Sequence, residues 1–260
     1  MYNSPKPFVI ITMVRCGSYF LSSLLNSADD VRCFGELYKK NAVEMPRDDL
    51  RRLNMTRRDV DLRNRLGYHF LDRVVDLNPE KCTGFKAFPD HFWRAGMMDL
   101  NASPHWRKIL LTRNVIEQYV SLIRARATGI YTYFQGDTVE PELLDYAVEI
   151  DFDDFERFLS YRKDVDLEFD RMQSCLEPDL ITRVDYESLM RPDTIRHLLD
   201  FIGSNAHPSE LHSNRRKQFV HPLHKGVRNF TELQAYLAST NRLHLLPARY
   251  KEAADQICAA

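Results

Sequence analysis

Arg15, Cys16, Gly17 and Ser18 come just after the apolar run Phe8–Met13. A forked permanent cation, a residue without a Cβ and a hydroxyl, set between a buried strand and a helix, can hold a phosphate or sulfate. Ser18 can equally cap the helix while Arg15 faces water. A second group has the same form. Arg113 follows the run Trp106–Thr112, and Ser121 lies eight residues on. That is about two turns into the next helix. Both touch one ligand group only if it lies along the first turns, where the helix N-terminus adds partial positive charge. A third set, Glu36, Lys86 and His91, follows two other strand-like runs. Lys86 can neutralise a transferring anion, or be a lysine at the core edge. A partly buried Glu36, or His91 with its near-neutral titration, can take a proton. His91 can instead cap a helix starting near Phe92.

No GxxxxGK[ST] sequence occurs. The strand before Arg113 ends in a cation, where a nucleoside triphosphatase needs a carboxylate to help hold magnesium. The chemistry expected is therefore transfer of an anionic group held by cations and backbone, without a metal ion. Asp185, after a later apolar run, keeps a nucleotide-dependent kinase open as an alternative. A non-catalytic nucleotide-binding protein is the other.

Positioning these groups takes strands followed by helices. "FVIITM", "VRCF", "CTGFKAF", "WRKILLT" and "LITRVDY" read as five strands. The unbroken apolar ones suit a parallel sheet covered on both faces. Helices are expected over Tyr19–Ser27, Arg57–Asp76, the segment after Arg113-Asn114, much of Leu143–Cys175 with a break in its middle, and Leu246–Ile257. Another follows Pro192 and stops at Gly203, as proline near a first turn and glycine past an end predict. Lys39–Thr56, Tyr131–Pro141 and the tail from Ser204 read as irregular. The alternation predicts a three-layer α/β fold with a central, mainly parallel sheet, whose ligands bind beyond the strands' carboxyl ends. One domain over 1–260 is expected, with a helical insertion around 137–177 and a loop-rich segment over 204–260.

The chain has 260 residues, with 36 Lys and Arg against 37 Asp and Glu, so the molecule as a whole is not a binder of nucleic acid or other polyanions. Its five cysteines are scattered without metal spacing, which suits a reducing cytoplasm. The first apolar run is too short to cross a bilayer. No heptad seam marks an oligomer interface, and self-association stays open.

The two strand–turn–helix units together, Arg-x-Gly-Ser and then an Arg and a Ser eight apart, resemble the sulfotransferases that use 3′-phosphoadenosine 5′-phosphosulfate (PAPS). "FGELY", "GFKAF", "VDYESLMRPDTIRHLLDFIG" and "VRNFTELQAYLAST" extend the likeness. It is greatest to bacterial carbohydrate sulfotransferases, including the nodulation-factor type. The resemblance implies a P-loop-like fold and sulfuryl transfer from PAPS to a hydroxyl of a carbohydrate or glycolipid-like acceptor. It implies that Arg15, Cys16, Gly17, Ser18, Tyr19 and Phe20 hold the phosphosulfate, and that Arg113 and Ser121 hold the 3′-phosphate. In the tail, Arg216, Lys217, Lys225 and Arg228 are candidates to cover the nucleotide. Catalysis would fall to Arg15, Lys86 and a base. Glu36 is favoured over His91, because glutamate is more usual in carbohydrate-directed members. Tyr38, Phe92, Trp93, Tyr131, Tyr133 and Phe134 are candidates to line the acceptor pocket.

Overall fold

A computed structural model describes residues 5–215, 222–247 and 250. Its strands and helices run β1 (Phe8–Thr12), α1 (Ser18–Leu25), β2 (Val31–Glu36), α2 (Arg47–Arg52), α3 (Val60–Leu66), α4 (Tyr68–Val75), β3 (Cys82–Ala87), α5 (Pro89–Ala95), β4 (Arg107–Thr112), α6 (Val115–Thr128), α7 (Pro141–Leu144), α8 (Phe152–Cys175), β5 (Ile181–Asp185), α9 (Pro192–Ile202), α10 (Leu223–Gly226) and α11 (Phe230–Ser239). The strands form one sheet in the order β2-β3-β1-β4-β5. Every pairing is parallel. All residues of β1, β3 and β4 are buried, so both sheet faces are covered. The α/β class with a central parallel sheet read from the alternation is the one observed. Parallel pairing also sends the carboxyl ends of all five strands to one edge.

The chain divides into two compact units. Met1–Thr112 and Val165–Asn214 make the unit with the sheet, and Arg113–Asp164 with Arg215–Ala260 make the other. No described helix is long and apolar enough to cross a membrane.

Four elements differ from expectation. The helix read over 57–76 is two, α3 and α4, because Gly67 adopts φ 53 and ψ −124 between them. The segment Lys39–Thr56 contains α2, whose Asp48 and Asp49 sit in the first turn and Arg51 and Arg52 in the last, as the helix dipole favours. The break expected inside 143–175 falls earlier, and α8 runs unbroken for 24 residues. The tail carries α11, which buries Leu233 and Leu237 one turn apart. The helix expected over 246–257 falls almost wholly outside the described residues, as do Arg216 and Lys217.

Strand β4 carries a fully buried lysine. Lys108 is 0 % exposed and donates to the Ser103 carbonyl. Burial pushes its pKa down to about 8. The unfolded chain, with an ordinary lysine, binds more protons between that value and about 10.4, so stability rises with pH across this window. Lys108→Met should raise stability at neutral pH by roughly 1–3 kcal/mol and flatten that rise. Thermal melts of both proteins between pH 7 and 10 check this.

Candidate active site

The loop after β1 turns sharply. Arg15 has φ 66 and Gly17 has φ 83, both left-handed. A Cβ on Gly17 would lie 2.2 Å from Cδ2 of Tyr186, so the phenol ring packs directly on this backbone. The same ring meets Phe20 edge-on, with centroids 6.2 Å apart. Helix α1 then begins at Ser18 with no side-chain cap and no acid in its first turn. Ser18 is therefore not the cap that one sequence reading allowed. It lies within the first turn, and its Oγ is 3.4 Å from the Lys86 ammonium. Cys16 is buried beneath the loop, while Arg15 stays half-buried. A strand–turn–helix start with an arginine, a lysine and no capping carboxylate fits an anionic group.

Glu36 reaches this loop through a bulge. The pairing of β2 with β3 slips between Phe34 and Glu36, leaving Gly35 as the extra residue. Glu36 then stands directly beside Lys86 on the neighbouring strand. The two are buried, and Nζ lies 2.9 Å from Oε1. Nζ also sits 3.1 Å from the centroid of the Tyr19 ring, a cation–π contact. Burial pulls the Lys86 pKa down, and the Glu36 charge and hydrogen bond oppose that pull.

His91 completes the group from α5. Its Nδ1 accepts the Phe88 N–H at 3.3 Å, at the start of the helix. The capping role is therefore real, one turn earlier than a helix starting at Phe92 implied. With Nδ1 accepting, the ring proton belongs on Nε2, which lies 3.8 Å from Glu36 Oε2. Burial lowers the ring's pKa to about 4, against the pull of Asp90 and Glu36. The imidazole is neutral at ordinary pH, and its lone pair is engaged.

Two residues of this group carry no sequence signal. Glu44 accepts from Lys39 Nζ at 2.6 Å, from the Tyr19 hydroxyl at 2.8 Å and from the Glu36 N–H at 3.2 Å. Arg63, 2 % exposed, donates through one nitrogen to the carbonyls of Leu37, Lys39 and Ala42 at 2.8, 3.0 and 3.3 Å. It thus gathers the loop that follows Glu36. Glu44 comes from a segment read as irregular and Arg63 is one of several arginines in a predicted helix, so only three-dimensional proximity reveals them. Tyr186 is similar: its motif is visible, but its packing on Gly17 is not.

The second unit places the other predicted residues. Arg113 sits just before α6, and Ser121 is half-buried along that helix. The N-terminus of α6 is capped by Asn114, whose side chain accepts from the N–H groups of Ile116 and Glu117 at 3.1 Å. Glu117 also lies 3.8 Å from Arg113. The helix end thus offers a ligand less positive charge than the sequence reading supposed. Arg162 donates to the Arg113 carbonyl at 3.1 Å and to Gln118 Oε1 at 2.6 Å, which fixes the backbone there. Arg228 is exposed, with its guanidinium 5.3 Å from the Tyr146 ring centroid. Lys225 is exposed too.

Of the aromatic residues read as acceptor contacts, Tyr38 and Phe92 belong to the core, in a cluster with Phe85. Trp93 is 72 % exposed and lies two residues from buried His91, about 200° around α5, so it faces away from the site. At the end of β5, Asp185 accepts the Ser188 N–H at 2.9 Å and caps a short turn.

Comparison with known proteins gives a consistent picture. A model described as "Sulfotransferase family" matches residues 7–208. Nodulation protein H of Rhizobium tropici is 29% identical over 239 residues, covering 90% of each chain. Nodulation protein H of Rhizobium meliloti (strain 1021) is 29% identical over 241 residues, covering 90% of this chain and 92% of that one. Among solved structures, the sulfotransferase domain from the Synechococcus PCC 7002 olefin synthase superposes with a TM-score of 0.51 at 14% identity, covering 88% of this chain and 84% of that one. The sulfotransferase domain from the curacin biosynthetic pathway gives 0.50 at 15% identity, covering 86% and 83%. These structures share the fold. The family match begins before β1 and ends beyond α9, so it takes in the whole sheet and every strand end described above, and on that ground the chain belongs to the sulfotransferase family.

Proposed function

We propose that this sulfotransferase moves a sulfuryl group from PAPS to a hydroxyl of a carbohydrate or glycolipid-like acceptor. The observation that carries the reading is the buried Glu36–Lys86 contact, 2.9 Å long, beside the uncapped start of α1. The donor supplies the sulfuryl group and departs as 3′-phosphoadenosine 5′-phosphate. Arg15 and the first turn of α1, through Ser18, Tyr19 and Phe20, hold the phosphosulfate end. Arg113 and Ser121 hold the 3′-phosphate. Lys86 already reaches both Ser18 and Glu36 and neutralises the transferring group. Glu36 takes the acceptor proton as the new O–S bond forms. His91 is the poorer base, because its Nδ1 already accepts the Phe88 N–H. Its Nε2 faces Glu36 Oε2 at 3.8 Å, beyond hydrogen-bond distance. The carbohydrate acceptor rests on the likeness to carbohydrate sulfotransferases. Cys16, Cys33 and Cys82 are buried and in no disulfide, which fits a reducing, cytoplasmic setting.

Thermal melts with nucleotides test the donor. Near-saturating 3′-phosphoadenosine 5′-phosphate should stabilise the protein by about 3 kcal/mol at a hundredfold excess over Kd. ATP should do much less, and Arg113→Ala should abolish the difference. Sulfuryl transfer should persist in excess chelator. Equal stabilisation by ATP, or loss of transfer on chelation, would favour a kinase instead.

A further inference from the structure

We propose that Glu44 is a positioning residue for sulfuryl transfer, a hub that fixes both the proton acceptor and the lysine beside it. The inference rests on Glu36 acting as the base. Glu44 itself lies outside the strand ends, and its charge joins that of Glu36 in favouring the Lys86 cation. It acts through two intermediaries.

The first intermediary is the backbone of Glu36. Glu44 N–H donates to the Glu36 carbonyl at 3.3 Å, and the Glu36 N–H donates back to Glu44 Oε2 at 3.2 Å. Residue 36, the last of β2 and paired with Lys86 just past the bulge, is thus held by both its peptide groups as well. The second intermediary is Tyr19. Its hydroxyl is 2.8 Å from Glu44 Oε2 and 3.4 Å from Glu36 Oε1, so its one proton goes to Glu44. With the hydroxyl tethered, the ring forms the surface on which the Lys86 ammonium rests, 3.1 Å from its centroid.

Two features make this hub specific. A Cβ on Gly35 would come 2.9 Å from Glu44 Oε2 and 3.0 Å from Glu44 Cβ, so only glycine at the bulge lets this side chain lie across the strand. Burial disfavours the Glu44 charge, but hydrogen bonds from Lys39, Tyr19 and the Glu36 N–H outweigh that and hold its pKa below the usual carboxylate range. Lys39 is the counterpart. Burial works against its charge, and the hydrogen bond and charge of Glu44 more than compensate, raising its pKa. Glu44 therefore stays a three-way acceptor at working pH.

The test compares Glu44→Met, which keeps length and loses every acceptor, with Glu44→Gln, which keeps one oxygen for Tyr19 and the Glu36 N–H. Glu44→Met should lower kcat roughly 10²-fold through misplacement of the reacting groups, with donor KM within about twofold. It should also speed hydrogen exchange at the Glu36 amide. Glu44→Gln should restore kcat to within about tenfold of the parent and keep that amide protected. The proposal is overturned if Glu44→Met keeps its kcat and its Glu36 amide protection. It is equally overturned if kcat, donor affinity and melting temperature fall together in both variants, which marks a merely structural role. Glu36→Gln, run in parallel, separates the two readings. If that variant still turns over, the base assignment fails, whereas amide protection still reports whether Glu44 holds residue 36.

Discussion

Glu36→Gln lowers kcat for sulfuryl transfer by about 10²–10⁴-fold and leaves binding of 3′-phosphoadenosine 5′-phosphate nearly unchanged. The substitution keeps the side chain's shape and an oxygen for the Lys86 ammonium, 2.9 Å away. It removes the capacity to accept a proton and, with it, the negative charge that supports the buried Lys86 ammonium. His91→Gln is the informative partner. Its ring is neutral, with Nδ1 committed to the Phe88 N–H, so its loss should cost about tenfold or less. The opposite ranking would transfer the base role to His91. Steady-state rates with each variant, beside calorimetric nucleotide binding, settle the order. Equal binding in all three proteins shows that losses in rate come from chemistry and not from an unfolded fraction.

The second large effect is expected at Gly17. Gly17→Ala meets two separate penalties. A side chain at φ 83 is strained by about 1–2 kcal/mol, and its Cβ would overlap the Tyr186 ring at 2.2 Å. We expect a melting temperature lower by several degrees and nucleotide binding weakened about 10²-fold or more, because the loop cannot keep its turn while the ring moves out. The Tyr186→Ala background separates the two terms. There the steric term is gone and the backbone term stays, so Gly17→Ala should cost clearly less than in the parent. Identical costs in both backgrounds would show that the ring plays no part. Thermal melts and nucleotide titrations of the four proteins close this cycle.

How far the sequence reaches depends on where information is local. Strand β1 is an almost continuous apolar run, and burial of all its residues follows directly from that pattern, whereas β4 also buries Arg107 and Lys108, which the pattern does not announce. Helix α9 is bracketed by Pro192 and Gly203, and both signals hold. Glu36 and Lys86 are legible as candidates because parallel strands present their exits at one edge, and the structure brings the two side chains within 2.9 Å. Other features depend on context. Gly67 inside an amphipathic pattern reads as a tolerated interruption, yet its backbone turns the chain and divides one helix into two. Helix α11 has a sparse apolar stripe, so its tertiary packing decides it more than its propensity does. Whether His91 caps or catalyses turns on which ring nitrogen meets Phe88, and residue type cannot show that. Glu44 and Arg63 become visible only once the chain between them has closed back on Glu36.

The slip in pairing at Gly35 has an evolutionary side. Up to Phe34, β2 obeys the inward–outward demands of the hydrophobic interior, with Val31, Cys33 and Phe34 buried. After the slip, Glu36 takes its alignment from Lys86. Mutations that repack the first half of the strand are thereby insulated from the aim of the carboxylate. Such a joint lets the interior drift across a lineage while the reacting end keeps its bearing.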